Sequence, residues 1–77
     1  MRMIQPDQLR HLRETYSPGT RIVLVRMDDQ QAPPISTQGT VTGVDDTGSL
    51  LVDWDNGSGL NVIWEVDEVR KVANIDD

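Results

Sequence analysis

The sequence predicts a mainly β protein, in which a small five-stranded barrel follows one short N-terminal α-helix. Three observations predict this architecture. A single segment with helical spacing ends at Ser17-Pro18-Gly19, the apolar residues after that break alternate with a period of two, and Asn56-Gly57 gives a strong hairpin signal. The chain has 77 residues, which predicts one domain.

The N-terminal segment predicts a helix over residues 6–16. Pro6 suits the first helical position, and Ser17-Pro18-Gly19 cannot continue a helix. A helix this short is marginal in water, so we expect its apolar face to pack on an open end of the β-structure. That face carries Leu9, Leu12 and Tyr16.

Residues 19–73 predict five short strands joined by tight turns. Each segment is rich in β-branched residues or alternates apolar with polar side chains, and Gly43 is expected to form a bulge in the second strand. Five strands are too few for a sandwich and suit a strongly bent barrel of the SH3-like kind. The predicted strands are residues 20–27, 37–45, 49–55, 59–64 and 69–73.

The alternation also predicts the core. In the first strand Val23 and Val25 are apolar on the second face as well, so we expect that strand to be covered on both sides. A core of this size leaves few residues for a deep catalytic pocket, which disfavours an enzyme. The side chains expected to point inward are Ile22, Leu24, Val41, Val44, Leu50, Val52, Trp54, Leu60, Val62 and Val69.

The composition of the chain excludes several classes of protein. The chain has no cysteine, which excludes a disulfide framework, a cysteine-based zinc site and a thiol nucleophile. No apolar run approaches the roughly 18 residues of a membrane span, so we expect a cytoplasmic protein with no membrane partner. Residues 1–5 and the acidic residues 74–77 are expected to be flexible ends.

Charge is distributed unevenly along the chain. Residues 1–26 hold five arginines against Asp7 and Glu14, whereas residues 27–77 hold two cationic side chains against eleven acids. The net charge of −6 repels phosphates, so duplex nucleic acid is an unlikely partner. The arginines form either a local cationic strip or ion pairs with acids of the barrel.

The stretch from residue 12 to about residue 72 resembles a small bacterial family, domain of unknown function 4314. The resemblance implies an SH3-like barrel in proteins of bacteria and their phages or mobile elements, and it implies no established activity. Trp64-Glu65 departs from the family pattern, in which small or turn-forming residues are expected. The matching pieces are residues 16–22 (YSPGTRI), 27–29 (MDD), 32–34 (APP), 39–41 (GTV), 44–48 (VDDTG) and 52–57 (VDWDNG).

One group of candidate residues suits a hard cation. If the hairpins are sequential, Asp28 and Asp29 lie at the same end of the barrel as Asp55 and Asn56, which are oxygen ligands. The alternative is that these acids accept bonds from loop amides and pair with Arg21 or Arg26. We favour the alternative because the spacing matches no calcium loop, so no metal is expected.

A second group forms a predicted acidic rim at the opposite end of the barrel. Such a rim could engage a basic nucleic-acid-binding partner by imitating a phosphate backbone, as an inhibitor encoded by a phage or mobile element would. The alternative is a set of solvated turns and caps. The rim residues are Asp45, Asp46, Glu65, Asp67 and Glu68.

The favoured hypothesis is a non-catalytic module that docks a protein or peptide through the 28–36 loop and Trp64. Loops on a rigid scaffold commonly carry binding residues, and a half-exposed tryptophan beside a proline loop supplies contact area at low entropy cost. Trp64 could instead pack over the barrel mouth, whereas Trp54 is expected inside. The expected contact residues are Asp28, Asp29, Pro33, Pro34, Asn56 and Trp64.

No catalytic or cofactor pattern is visible. His11 is the only histidine, and its helix position faces away from Leu9 and Leu12, so a surface location is expected. The serines follow no nucleophile-elbow pattern, and no glycine-rich loop precedes a helix. We therefore expect no enzyme activity and no cofactor, and either a monomer or a weak homodimer formed by edge strands.

Overall fold

The computed structural model describes residues 3–72 as one helix and one antiparallel sheet. The sheet is four-stranded and open, with the strand order β3-β2-β1-β4. The mainly β prediction with a short N-terminal helix is therefore confirmed, whereas the closed five-stranded barrel is wrong. The elements are α1 (Pro6–Thr15), β1 (Arg21–Arg26), β2 (Gln38–Val44), β3 (Leu50–Trp54) and β4 (Glu68–Lys71).

The predicted strand over residues 59–64 is reduced to a single bridge between Val62 and Leu50, whose N–H groups donate to each other's carbonyls at 3.0 and 2.8 Å. Two local interactions explain the loss of the strand. The Leu60 carbonyl accepts a hydrogen bond from the Trp54 indole N–H (2.7 Å), and a turn begins directly after Val62 at Ile63. The sheet therefore remains open between Val62 and β4.

The remaining strand boundaries follow the prediction closely. β2 and β3 pair with a register shift between Val41 and Gly43, which confirms the predicted bulge at Gly43. β4 begins one residue before its predicted start, and Ala73, the predicted last strand residue, lies outside the described residues. The predicted flexible residues 74–77, and residues 1–2 of the predicted flexible N-terminus, also lie outside them.

The core forms on one face of the sheet. Seven of the ten side chains expected to point inward are buried, and the other three (Val44, Leu60 and Val69) are partly buried against them. The sequence prediction missed Ile4 and Met27, which are also buried. The seven are Ile22, Leu24, Val41, Leu50, Val52, Trp54 and Val62.

Helix α1 packs on the core side of the sheet, where Leu12 and Tyr16 contact the buried cluster. This confirms that the helix packs on the β-structure. Val23 and Val25, on the other face of β1, are half-buried, so that face of the strand is only partly covered. No helix within residues 3–72 has the length and apolar character needed to cross a membrane.

Gly39 of β2 and Trp54 of β3 approach each other closely. The two residues are direct partners in the sheet, and Gly39 and the indole are both buried. A Cβ atom at Gly39 would lie 2.8 Å from Trp54 Cε3, 2.8 Å from Val52 Cγ1 and 3.1 Å from the Asp53 carbonyl oxygen. Only glycine therefore lets the indole approach β2 this closely.

Replacing Gly39 by alanine should destabilise the protein by about 1–3 kcal/mol, the usual cost of overpacking a core. Urea unfolding measures the change in free energy. Gly59→Ala is the matched control, because no heavy atom lies within 4 Å of a Cβ at that position. Equal stabilities of the two variants would contradict the role of Gly39.

Candidate functional site

A concave surface of the described chain lies between α1 and the turn of residues 63–67. It is an open groove of about 500 Å³. We call it the helix–turn groove, and its lining is mostly apolar. The lining residues are Asp7, Gln8, His11, Leu12, Thr15, Tyr16, Trp64 and Glu65.

A second groove of about 160 Å³ adjoins the first. It lies at the opening of the sheet, between Val62 on one side and Val69 of β4 on the other. We call it the seam groove. Leu12 of α1 and Tyr16, which caps the helix, line both grooves, together with Trp64 and Glu65. The end of the helix therefore lies at the opening of the sheet, where the two grooves meet.

Trp64 is half-buried and packs against the turn between β2 and β3. A Cβ at Gly48 would lie 2.9 Å from Ile4 Cδ1 and 3.2 Å from Trp64 Cβ, so these three residues meet closely. Gly48 has a φ of +89°, which glycine adopts without strain. Ile4 and Trp64 therefore both pack on the β2–β3 turn, and this packing accounts for part of the surface of Trp64.

The turn that carries Trp64 is closed by its own hydrogen bonds. The Ile63 carbonyl accepts bonds from the N–H groups of Val66 (3.1 Å) and Asp67 (3.0 Å), and the Asp67 carboxylate accepts one from the Ile63 N–H (2.8 Å). Glu65 has a φ of +63°, in the left-handed region that favours glycine or asparagine. This conformation explains why a turn-forming residue is expected there.

Arg13 attaches the helix to the sheet. Its guanidinium donates to the Val44 carbonyl from Nε (3.3 Å) and Nη2 (3.2 Å), and Nη2 also donates to Asp46 Oδ1 (2.9 Å). Lys71 Nζ lies 6.0 Å from the centre of the Tyr16 ring, at the other edge of the sheet. The Arg13 contacts account for part of the basic N-terminal third, which pairs here with the β-structure.

The 28–36 loop folds back on the core instead of standing free. The Ser36 N–H donates to the Leu24 carbonyl (2.9 Å), and Ala32 packs against the buried cluster. Pro33 is buried, which leaves little of its surface for the expected partner contact, whereas Pro34 is exposed. No residue of this loop lines either groove, so the structure does not bring the loop and Trp64 together there.

The predicted cation group is not assembled. Asp55 accepts two hydrogen bonds from the Arg21 guanidinium, at 2.8 and 2.5 Å, and this pairing holds the pKa of Asp55 below its usual value. Asp29 accepts a bond from the Gln31 N–H (2.8 Å), and Asn56 accepts one from the Ser58 N–H (3.0 Å). Within residues 3–72 no three acidic or histidine side chains gather closely enough to hold a metal ion.

The acids of the predicted rim are largely engaged within the chain. Asp45 accepts bonds from the Thr47 hydroxyl (2.7 Å), the Thr47 N–H (3.0 Å) and the Ser49 N–H (2.9 Å). These bonds lower the pKa of Asp45, and the bond from the Thr47 hydroxyl has the largest effect. Asp46 pairs with Arg13 and Asp67 closes its own turn. Asp45 and Asp67 therefore act as turn caps, as the alternative interpretation proposes, and Asp46 joins the sheet to the helix.

Sequence reasoning missed the groove itself. It placed His11 on the surface, and His11 is exposed, but it also lines the helix–turn groove. Helical spacing puts Asp7 and His11 on one face, next to the face of Leu12. That spacing could have predicted the helix wall of the groove. The opposite wall contains Trp64, whose position depends on its long-range contact with Gly48.

Comparison with known proteins gives a family match. A family model described as "Domain of unknown function (DUF4314)" matches residues 5–72. No curated protein and no solved structure matches the chain. The matched range contains α1, all four strands and the turn that carries Trp64, so both grooves lie inside the matched domain.

The lowered pKa values predict how stability depends on pH. The carboxylates of Asp45 and Asp55 stabilise the folded chain above about pH 4, and this contribution is lost as the pH falls through their folded values. In urea unfolding, Asp55→Asn should therefore be less stable than the native chain at pH 7, and the difference should shrink towards pH 2. A difference that stays constant with pH would contradict the Arg21–Asp55 assignment.

The backbone of Glu65 predicts a stabilising substitution. A left-handed conformation costs a non-glycine residue roughly 1–2 kcal/mol, so Glu65→Gly should raise the free energy of unfolding by about 0.5–1 kcal/mol. Ser36→Gly is the matched variant, since Ser36 has a φ of +77° away from both grooves. A loss of stability in Glu65→Gly alone would show that the glutamate side chain outweighs the backbone cost.

Proposed function

Since the chain belongs to the DUF4314 family, we propose that this domain of unknown function is a non-catalytic module that docks a protein or peptide partner in the helix–turn groove. One observation carries the proposal. The half-buried Trp64 lies across an open, mostly apolar groove from α1, with Asp7 and Glu65 at its polar margin. An apolar centre with a polar rim is the usual anatomy of a protein interface.

The groove suits a side chain of a partner better than an enclosed small molecule. Its volume of about 500 Å³ falls within the range of ligand sites, but it is open to solvent along its length. The rigid indole of Trp64 supplies contact area at a low cost in conformational entropy. The acidic and histidine side chains at the groove, Asp7, His11 and Glu65, are all exposed, whereas catalytic sites usually exclude water.

The proposal includes a finer view of the fold, an SH3-like arrangement with an open seam. The order β4-β1-β2-β3, extended by the bridge from β3 to Val62, supports it.

The 28–36 loop offers a second contact surface through Asp28, Asp29 and Pro34, which are exposed, together with the exposed Asn56. Mimicry of a phosphate backbone has less support, because Asp45, Asp46 and Asp67 are bonded within the chain.

Photo-crosslinking tests the location of the docking surface. A crosslinking amino acid at Gln8, which is exposed in the groove, should capture a discrete partner from a lysate of the source organism. The same amino acid at the exposed Asp53, on the outer face of the sheet, should not.

Two blocking variants and one control complete this experiment. Trp64→Ala removes one wall of the groove, and His11→Trp fills the groove from the exposed helix face, so each should reduce the yield of the adduct at least about tenfold. Glu14→Trp adds the same ring to an exposed helix position outside the groove and should leave the yield unchanged. Equal yields from Gln8 and Asp53, or an unchanged yield in both blocking variants, would refute docking at the groove.

A further inference from the structure

We infer that β4 pairs antiparallel with β4 of a second copy of this chain, with Val69 of each copy opposite Val69 of the other. The resulting two-fold dimer joins the two four-stranded sheets into one. This surface is separate from the proposed docking site, because no residue of β4 lines the helix–turn groove.

β4 is an edge strand, and no residue within 3–72 pairs with its outer side. Its neighbour in the sheet is β1, and the seam groove runs along its other side, where Glu68 and Val69 line it. Such an edge presents backbone N–H and C=O groups with which a second strand can pair. The sheet can therefore be extended at β4.

The hydrogen bonds of β4 indicate which of its backbone groups face outward. The Val72 N–H donates to the Arg21 carbonyl of β1 at 3.0 Å, so Val72 and Arg70 direct their N–H and C=O groups towards β1. Because these groups alternate along the strand, those of Val69 and Lys71 point away from β1. Residues opposite each other in an antiparallel pair direct their groups in the same sense, both towards the partner or both away. A symmetric pair of β4 strands is therefore centred on one residue and not between two.

The charges of β4 select one of these registers. When the pair is centred on Val69, Glu68 lies opposite Arg70 of the second copy, and the two-fold axis repeats this contact. A pair centred on Glu68, Arg70 or Lys71 would place that charged residue opposite itself. Unlike charges directly opposite stabilise a strand pair, whereas like charges destabilise it. The sequence of β4 therefore favours the register centred on Val69.

The side chains of Glu68 and Arg70 are available for this contact. Both are exposed, and within residues 3–72 neither takes part in a hydrogen bond or an ion pair, although Arg26 is the β1 partner of Glu68. Asp67 and Lys71 also come opposite each other in the dimer, but both already make contacts within their own chain. The two Glu68–Arg70 pairs therefore carry the charge complementarity.

The same features make the dimer weak. Short, charged edge strands commonly prevent association, and β4 has four residues, of which three are charged. That protection requires like charges to meet, and the register centred on Val69 avoids this. The new ladder is short, because the Asp67 N–H already donates to the Ile63 carbonyl at 3.0 Å. We therefore expect an interface far below the standard size.

Charge reversal in the full chain tests the pairing. In sedimentation equilibrium the native chain should dimerise with a dissociation constant below about 1 mM. Glu68→Arg and Arg70→Glu each bring like charges together twice, so each should weaken the dimer at least about tenfold. The double variant, and an equimolar mixture of the two single variants, again oppose unlike charges and should return to within about threefold of the native affinity.

Glu14→Arg is the matched control. It changes the net charge as Glu68→Arg does, but at an exposed position of α1, and should leave the affinity within about threefold of the native value. Circular dichroism checks that each variant is folded, and the three substituted positions are all exposed.

Disulfide trapping tests the register directly, because the chain contains no cysteine. The register centred on Val69 brings the two Cα atoms of that residue to about 5.5 Å, a distance that a disulfide can span. With oxidised glutathione, which is reduced as two thiols form one disulfide, Val69→Cys should give a covalent dimer. Lys71→Cys is the control, because its two copies lie roughly 14 Å apart along the strands and should crosslink at least about tenfold more slowly.

Three results would overturn the inference. A native chain that stays monomeric up to about 1 mM would exclude the dimer. A double variant as weak as the single variants, or trapping of Lys71→Cys as fast as that of Val69→Cys, would exclude the register. Each of these results leaves docking at the helix–turn groove in place, since that groove contains no β4 residue.

Discussion

The packing of Trp54 on Gly39 is the constraint on which the rest of the structure depends. The indole lies against β2 because Gly39 has no side chain, and its N–H donates to the Leu60 carbonyl. That bond draws the chain after β3 back along the sheet, so Val62 reaches Leu50 and the turn of residues 63–67 starts beside the core. This return of the chain determines where Trp64 lies, and the position of Trp64 determines where the groove forms.

The second consequence is an open seam that the helix covers. Because the return after β3 forms one bridge and not a strand, the sheet does not close between Val62 and β4. Leu12 and Tyr16 pack over the exposed core there, and Arg13 holds the helix to the end of β2. A short helix that would be marginal alone is thereby stabilised by tertiary contacts, and the grooves are the spaces left beside it.

Local patterns predicted the local structure well. The period of two located β1, β2 and β3, the helical spacing located α1, and Gly43 was correctly expected to be a bulge. The failures concern particular side-chain contacts. The Leu60 carbonyl bonds to the Trp54 indole instead of a neighbouring strand, Pro33 is buried, and both Trp64 and Ile4 lie close to Gly48. Spacing in the sequence carries no signal for any of these contacts.

The central claim is that Ile4 and Trp64 converge on Gly48 in the β2–β3 turn, which places Trp64 at the groove. Nuclear Overhauser effects from the α-protons of Gly48 measure this convergence directly. The structure predicts strong cross-peaks to the Ile4 δ-methyl group and to the Trp64 β-protons. Cross-peaks from Trp64 to Pro33 or Pro34, with none to Gly48, would contradict the account.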